Sequence, residues 1–176
     1  MAQLLRPDSD ITTTGFNTST GATFYTLLDE ATRSDTDYAY SSNNTNATLE
    51  VGLSDPLVNP DAGTCTLRFT WVKTNNGSLD GTGSDPPFSI AVYEGAVFVA
   101  GLASGTLQGL ELTYSGSWQQ TSFTFSTELV TDFTDLRVRY EVSSTGGNPN
   151  NRRGMGFSWV ELEIPDGAVT RYVLIT

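Results

Sequence analysis

The stretch Gly21-Ala-Thr-Phe-Tyr-Thr-Leu-Leu-Asp29-Glu30, with Ser34-Asp-Thr-Asp-Tyr-Ala-Tyr-Ser41 and Ala47-Thr-Leu-Glu-Val-Gly-Leu-Ser-Asp-Pro56 after it, decides the fold. It reads as a short strand, an acidic turn, a second short strand and a third that ends in Ser-Asp-Pro. Short β-rich runs broken by turn residues are how an antiparallel β-sandwich opens. Further along, Cys65, Leu67, Phe69 and Trp71 alternate with Thr66, Arg68 and Thr70. The same period of two runs through Phe88, Ile90 and Val92, through Leu136, Val138, Tyr140 and Val142, and through Val160, Leu162 and Ile164. Each run gives one apolar and one wet face, as a sandwich strand requires.

Other strands are predicted near 22–28, 37–41, 47–53, 96–101, 109–115, 118–126 and 170–175. Asn76-Gly77, Glu94-Gly95, Gly146-Gly147 and Asp166-Gly167 are tight-turn signals, and Glu94-Gly95 marks the clearest hairpin. Nothing carries apolar residues at helical spacing over three turns. The expected fold is all-β, a single-domain antiparallel jelly-roll β-sandwich of about 8–10 strands. Residues 1–20 read as an extended arm or a first strand, and 21–176 as the sandwich.

The 176 residues carry 20 acidic side chains against 9 basic ones, a formal net charge of −11, with Lys73 the sole lysine. Such a surface repels phosphate backbones, so no nucleic-acid partner is expected. No apolar run approaches the ~20 residues of a membrane span, and Met1 to Pro7 has no apolar core, so neither a membrane partner nor a signal peptide is expected. One cysteine, Cys65, permits no internal disulfide and sits at an apolar strand position.

The chain has no histidine, which removes the commonest general base and zinc ligand and the usual serine and cysteine triads. No phosphate-cradling or dinucleotide-binding glycine motif is present. The carboxylate pairs Asp8/Asp10, Asp29/Glu30, Asp35/Asp37 and Glu161/Glu163 have the spacing of solvated turns and strand faces, so no catalytic residue is expected. Asp35 and Asp37 form an Asp-x-Asp pair, but no full calcium loop follows. The expectation is therefore no cofactor and no metal, with structural calcium at that pair the alternative and a capped turn the plainer reading. Trp71 shares its face with Leu67 and Phe69 and reads as core. Trp159 is out of phase with Val160, Leu162 and Ile164, and falls with Phe157 and the two glutamates on an outer face. An outward aromatic pair there would mark a protein contact, or, with Trp71, Trp118, Tyr93 and Tyr114, a sugar-stacking platform.

Several segments in order resemble a jelly-roll family found in the structural proteins of tailed bacteriophages. They are Arg6-Pro-Asp-Ser-Asp-Ile11, the Leu-Asp-Glu at 28–30, Asp37-Tyr-Ala-Tyr-Ser41, Val51-Gly-Leu-Ser-Asp-Pro56, Ala91-Val-Tyr-Glu-Gly-Ala-Val-Phe-Val-Ala100, Thr131 to Glu141 and Phe157 to Pro165. The long Asn75–Pro87 loop and the apolar tail Tyr172-Val-Leu-Ile-Thr176 depart from the family. The resemblance implies a non-enzymatic virion protein, made in the host cytoplasm and foremost a capsid decoration or cement protein on the major capsid protein. A homo-oligomer is expected, with a trimer plausible by closed symmetry. The alternatives are a tail, neck or baseplate component, or a carbohydrate-binding module for host adsorption. The residues expected at a partner contact are Arg6, Asp8 and Asp10 in the N-terminal segment, Arg152 and Arg153, and Phe157 with Trp159.

Overall fold

Alternation becomes pairing in the computed structural model, which describes residues 2–32, 34–80, 82–103, 116–144 and 152–167. The strands are β1 (Gln3–Leu5), β2 (Pro7–Thr14), β3 (Phe16–Thr18), β4 (Ala39–Ser41), β5 (Ala47–Leu53), β6 (Thr64–Asn75), β7 (Ser78–Leu79), β8 (Phe88–Glu94), β9 (Val97–Ala103), β10 (Gln119–Ser126), β11 (Leu136–Val142) and β12 (Gly154–Ile164). One sheet runs β10-β6-β12-β4-β3, with β1 also on β12 and β7 on β6; the other runs β2-β5-β11-β8-β9. All these pairs are antiparallel, and the two sheets form a jelly-roll sandwich, as expected. The strands beyond the expected number are short pieces such as β1, β3 and β7.

The core lies between the sheets. Leu67, Phe69 and Trp71 of β6 and Phe157, Val160 and Leu162 of β12 face Leu49, Val51, Ile90, Val92, Val138 and Tyr140 of the other sheet. Two of the four expected tight-turn pairs form hairpins. Asn76 and Gly77, with φ of 48° and 91°, join β6 to β7, and a β-carbon on Gly77 would strike the Tyr40 ring at 2.7 Å. Gly95, at φ 55°, turns β8 into β9.

Two expectations need correction or restatement. The stretch 22–28 is not a strand: Tyr25–Leu27 is a 3-10 turn. The Asp10 carboxylate accepts from the amides of Phe24 (3.1 Å) and Tyr25 (2.7 Å), and consecutive Leu27 and Leu28 are both buried beneath the turn. Residues 1–20 carry β1 and β3 in one sheet and β2 in the other. β2 is the edge of its sheet, with Pro7 at its first position and two register shifts that blunt the edge. The strands expected at 109–115 and 170–175, the Gly146-Gly147 turn and Tyr114 lie outside the described residues.

Cys65 is fully buried, and burial pushes its thiol up to about 11. The reactive species is the thiolate. The native protein is therefore expected to leave a chromogenic disulfide reagent unreacted at pH 8 and to consume one equivalent after denaturation. Rapid reaction of the folded protein would contradict the buried placement.

Candidate ligand groove

The outer face of the second sheet brings polar, charged and aromatic side chains into one groove. On β8 the outward positions are Ser89, Ala91 and Tyr93; on β11 they are Arg137, Arg139 and Glu141; on β5 the residue beside Arg139 is Glu50. β9 completes the row. Its register shifts between Val92 and Tyr93, so that Phe98 sits beside Tyr93 and Gly101 beside Ala91. Two positions three apart share a face only because that bulge inserts a residue.

The groove encloses about 370 Å³ and is lined by Ser89, Ala91, Tyr93, Phe98, Gly101 and Glu141, among others. Gly101 and Ala91 make its floor. A β-carbon on Gly101 would lie 2.7 Å from both the Ala91 β-carbon and the Ile90 carbonyl oxygen, so only glycine lets β9 run this close. Phe98 is 60% exposed and meets Tyr93 edge to face, with ring centroids 5.8 Å apart at 85°. The Arg139 guanidinium lies 4.0 Å from the Tyr93 centroid.

Glu50, 3% exposed, anchors that guanidinium. Its carboxylate accepts from Arg139 Nε and, at 3.4 Å, from Arg137 Nη1, while Arg137 also pairs with Asp135 at 2.9 Å. The bond to Asp135, with that to Glu50, holds the Arg137 pKa above its ordinary value. Burial opposes the charge on Arg139, but Glu50, with Tyr93 and Glu141 in support, offsets this and holds its pKa above the ordinary value. The groove therefore presents an exposed ring and the acceptor Glu141, to which Ser89 Oγ donates at 3.5 Å, with the Arg139 cation fixed beside it over Tyr93.

The residues expected at a contact lie elsewhere, and most are engaged internally. Arg6 pairs with Glu161 at 2.7 Å, Asp10 caps the 3-10 turn, and Asp8 accepts from Ser9 Oγ. Arg153 binds Asp80 at 2.8 Å, and Arg152 is buried with Nη1 donating to Asn44 Oδ1 at 3.0 Å. The expected outward aromatic pair does not form. The β12–β6 register shifts at Ser158, so Phe157 is fully buried between the sheets while Trp159 falls on the outer face, where neighbours leave it 8% exposed. Trp71 is core, as read, and Trp118 is half-buried, so the tryptophans build no exposed platform.

Glu161 and Glu163 share a face but are tied into ion pairs with Arg6 and Arg68 rather than freely solvated. At the Asp-x-Asp pair, the Asp37 amide donates to Ser34 Oγ and its carboxylate accepts from Thr20 Oγ1, which makes a capped turn. Among the described residues no cluster of three or more histidine, cysteine or acidic side chains could hold a metal. Of the groove, the sequence offered Tyr93, among the sugar-stacking candidates, and the hairpin at Glu94-Gly95; Phe98 and Gly101 were missed because they do not alternate.

No protein-family model and no curated protein matches the chain. Solved structures share its fold. A cyclase from Fischerella sp. TAU in complex with 4-(1H-indol-3-yl)butan-2-one is 17% identical at a TM-score of 0.51, covering 77% of this chain and 67% of its own. The Stig cyclase Fisc from Fischerella sp. TAU is 15% identical at 0.52, covering 94% of this chain and 77% of its own. The carbohydrate-binding module TmCBM61, in complex with beta-1,4-galactotriose, aligns at 9% identity and a TM-score of 0.44, covering 90% of this chain and 86% of its own.

Proposed function

We propose that the protein is a non-enzymatic carbohydrate-binding module that seats a glycan across the groove of β8, β9 and β11. The exposed Phe98 ring beside Tyr93 carries this reading. A pyranose has an apolar C–H face that an aromatic ring can cover, and hydroxyls that need fixed donors and acceptors around the rim. Arg139 and Glu141 supply these. The absence of histidine from the chain and the locking of Glu50 between two arginines support binding rather than bond cleavage, since a general base needs a carboxylate free to take a proton and a general acid needs one that holds a proton to give. The ordered segments that resemble the phage jelly-roll family support a virion setting, in which such a groove would meet host glycans during adsorption.

The test is a glycan array spanning bacterial surface polysaccharides, followed by calorimetric titration of the best hit. Phe98→Ala is expected to weaken that hit roughly tenfold or more while leaving the unfolding midpoint nearly unchanged, because the ring is largely exposed. An array without hits, or a hit bound equally by Phe98→Ala, would reject the groove as the site.

A further inference from the structure

The groove carries one charge that the protein leaves unmatched. Three rows cross it in register: Phe98, Tyr93 and Arg137; then Gly101, Ala91 and Arg139; then Ser89 and Glu141. Tyr93 and Ser89 are four residues apart on β8, which sets the first and last rows ~13 Å apart at the rise of a strand. Arg139, in the middle row, reaches toward the ring row, where its guanidinium covers Tyr93. Its charge and that of Arg137 are matched by Glu50 and Asp135. Glu141 lines the other end and is exposed. Among the described residues it forms no ion pair, and its hydrogen bond from Ser89, at 3.5 Å, is at the limit of the range. The segments that follow β9 and β11 in the chain, 104–115 and 145–151, contain no lysine or arginine to reach it.

We infer that the glycan seated in this groove carries a free amine, which pairs with Glu141 while another ring of the same oligosaccharide stacks on Phe98. This rests on the reading of the groove as a glycan site and names the class of glycan. The separation of the rows exceeds one pyranose, so the amine belongs to a ring other than the stacked one. An unmatched carboxylate gains most from a ligand that brings an ammonium group, because a charge-assisted hydrogen bond is roughly twice as strong as a neutral one. An acidic sugar would instead meet Glu141 and a net charge of −11, with Arg137 and Arg139 already matched. The same net charge draws a cationic glycan toward the surface.

The experiment is a calorimetric titration of the full chain at about pH 6, where an aliphatic amine is protonated. The probes are β-1,4-linked trisaccharides of glucosamine and of galactosamine, each beside its N-acetylated counterpart, which keeps the ring and loses the charge. At least one amine form is expected to bind about fivefold tighter than its acetylated counterpart, the scale of one partly exposed ion pair. The ratio should approach one in Glu141→Gln, which keeps the fold because the side chain is exposed, and in about 0.5 M salt. Asp61→Asn removes the same charge from an exposed loop that does not line the groove, and should keep the ratio. A ratio that survives in Glu141→Gln overturns the assignment, since the net charge alone would then account for it. Equal binding of both forms, weakened by Phe98→Ala, overturns the amine and leaves the groove a site for neutral glycans. Binding of neither form overturns the amine as well, and the groove is then judged by the array.

Discussion

Phe157→Ala is expected to lower the unfolding free energy by about 4 kcal/mol, the middle of the range for truncating a buried phenylalanine. The ring is fully buried and lies 4.4 Å, centroid to centroid, from Tyr140, and 6.1 Å from each of Phe16 and Phe88. Phe16 belongs to its own sheet, while Tyr140 and Phe88 come from the other, so the ring joins the two layers. Alanine would open a cavity that three aromatic neighbours, each fixed by strand pairing, are poorly placed to fill. Equilibrium denaturation in urea measures the loss. Phe157→Leu, which refills much of the volume, should cost less than half as much. A loss under about 1 kcal/mol for the alanine variant would place Phe157 at the surface, as its spacing from Trp159 suggests.

That spacing is where reading by period two breaks down. The runs at 65–71, 88–92 and 136–142 keep strict parity, and their apolar sets all point into the core. A bulge reverses parity from its position onward, and its signal lies in the pairing of two strands rather than in either sequence. At Ser158 the reversal separates Phe157 from Trp159, two residues apart yet on opposite faces. In β9 the same device unites Phe98 and Gly101, which is why the groove stayed hidden. Leu27 and Leu28 escaped for a related reason: a side chain from β2, Asp10, folds their segment into a turn that buries both. Glu50 was legible as an outward position of β5, but its burial beneath Arg137 and Arg139 depends on the neighbouring strand.

Glu50→Gln is expected to destabilise the fold by about 2 kcal/mol and to impair the groove as well. Removing one partner of a buried ion pair costs about 3–5 kcal/mol when the remaining charge is sealed from water. Here the side chains of Arg137 and Arg139 keep 28% and 27% of their exposure, so solvent screens part of the loss and the smaller figure applies. Glutamine keeps the shape and one acceptor oxygen, so the change isolates the charge. Arg137 retains Asp135, whereas Arg139 loses its anchor and is free to leave the Tyr93 face. Glycan affinity should therefore fall in Glu50→Gln at temperatures where the variant remains folded, although Glu50 does not line the groove. A double-mutant cycle with Arg139→Gln separates the two effects, because the pair should couple by about 1 kcal/mol or more in denaturation. Stability within about 0.5 kcal/mol of the parent protein would mean the carboxylate is not the keystone of this face. An intact groove affinity in a destabilised variant would mean Arg139 holds its place over Tyr93 by stacking alone.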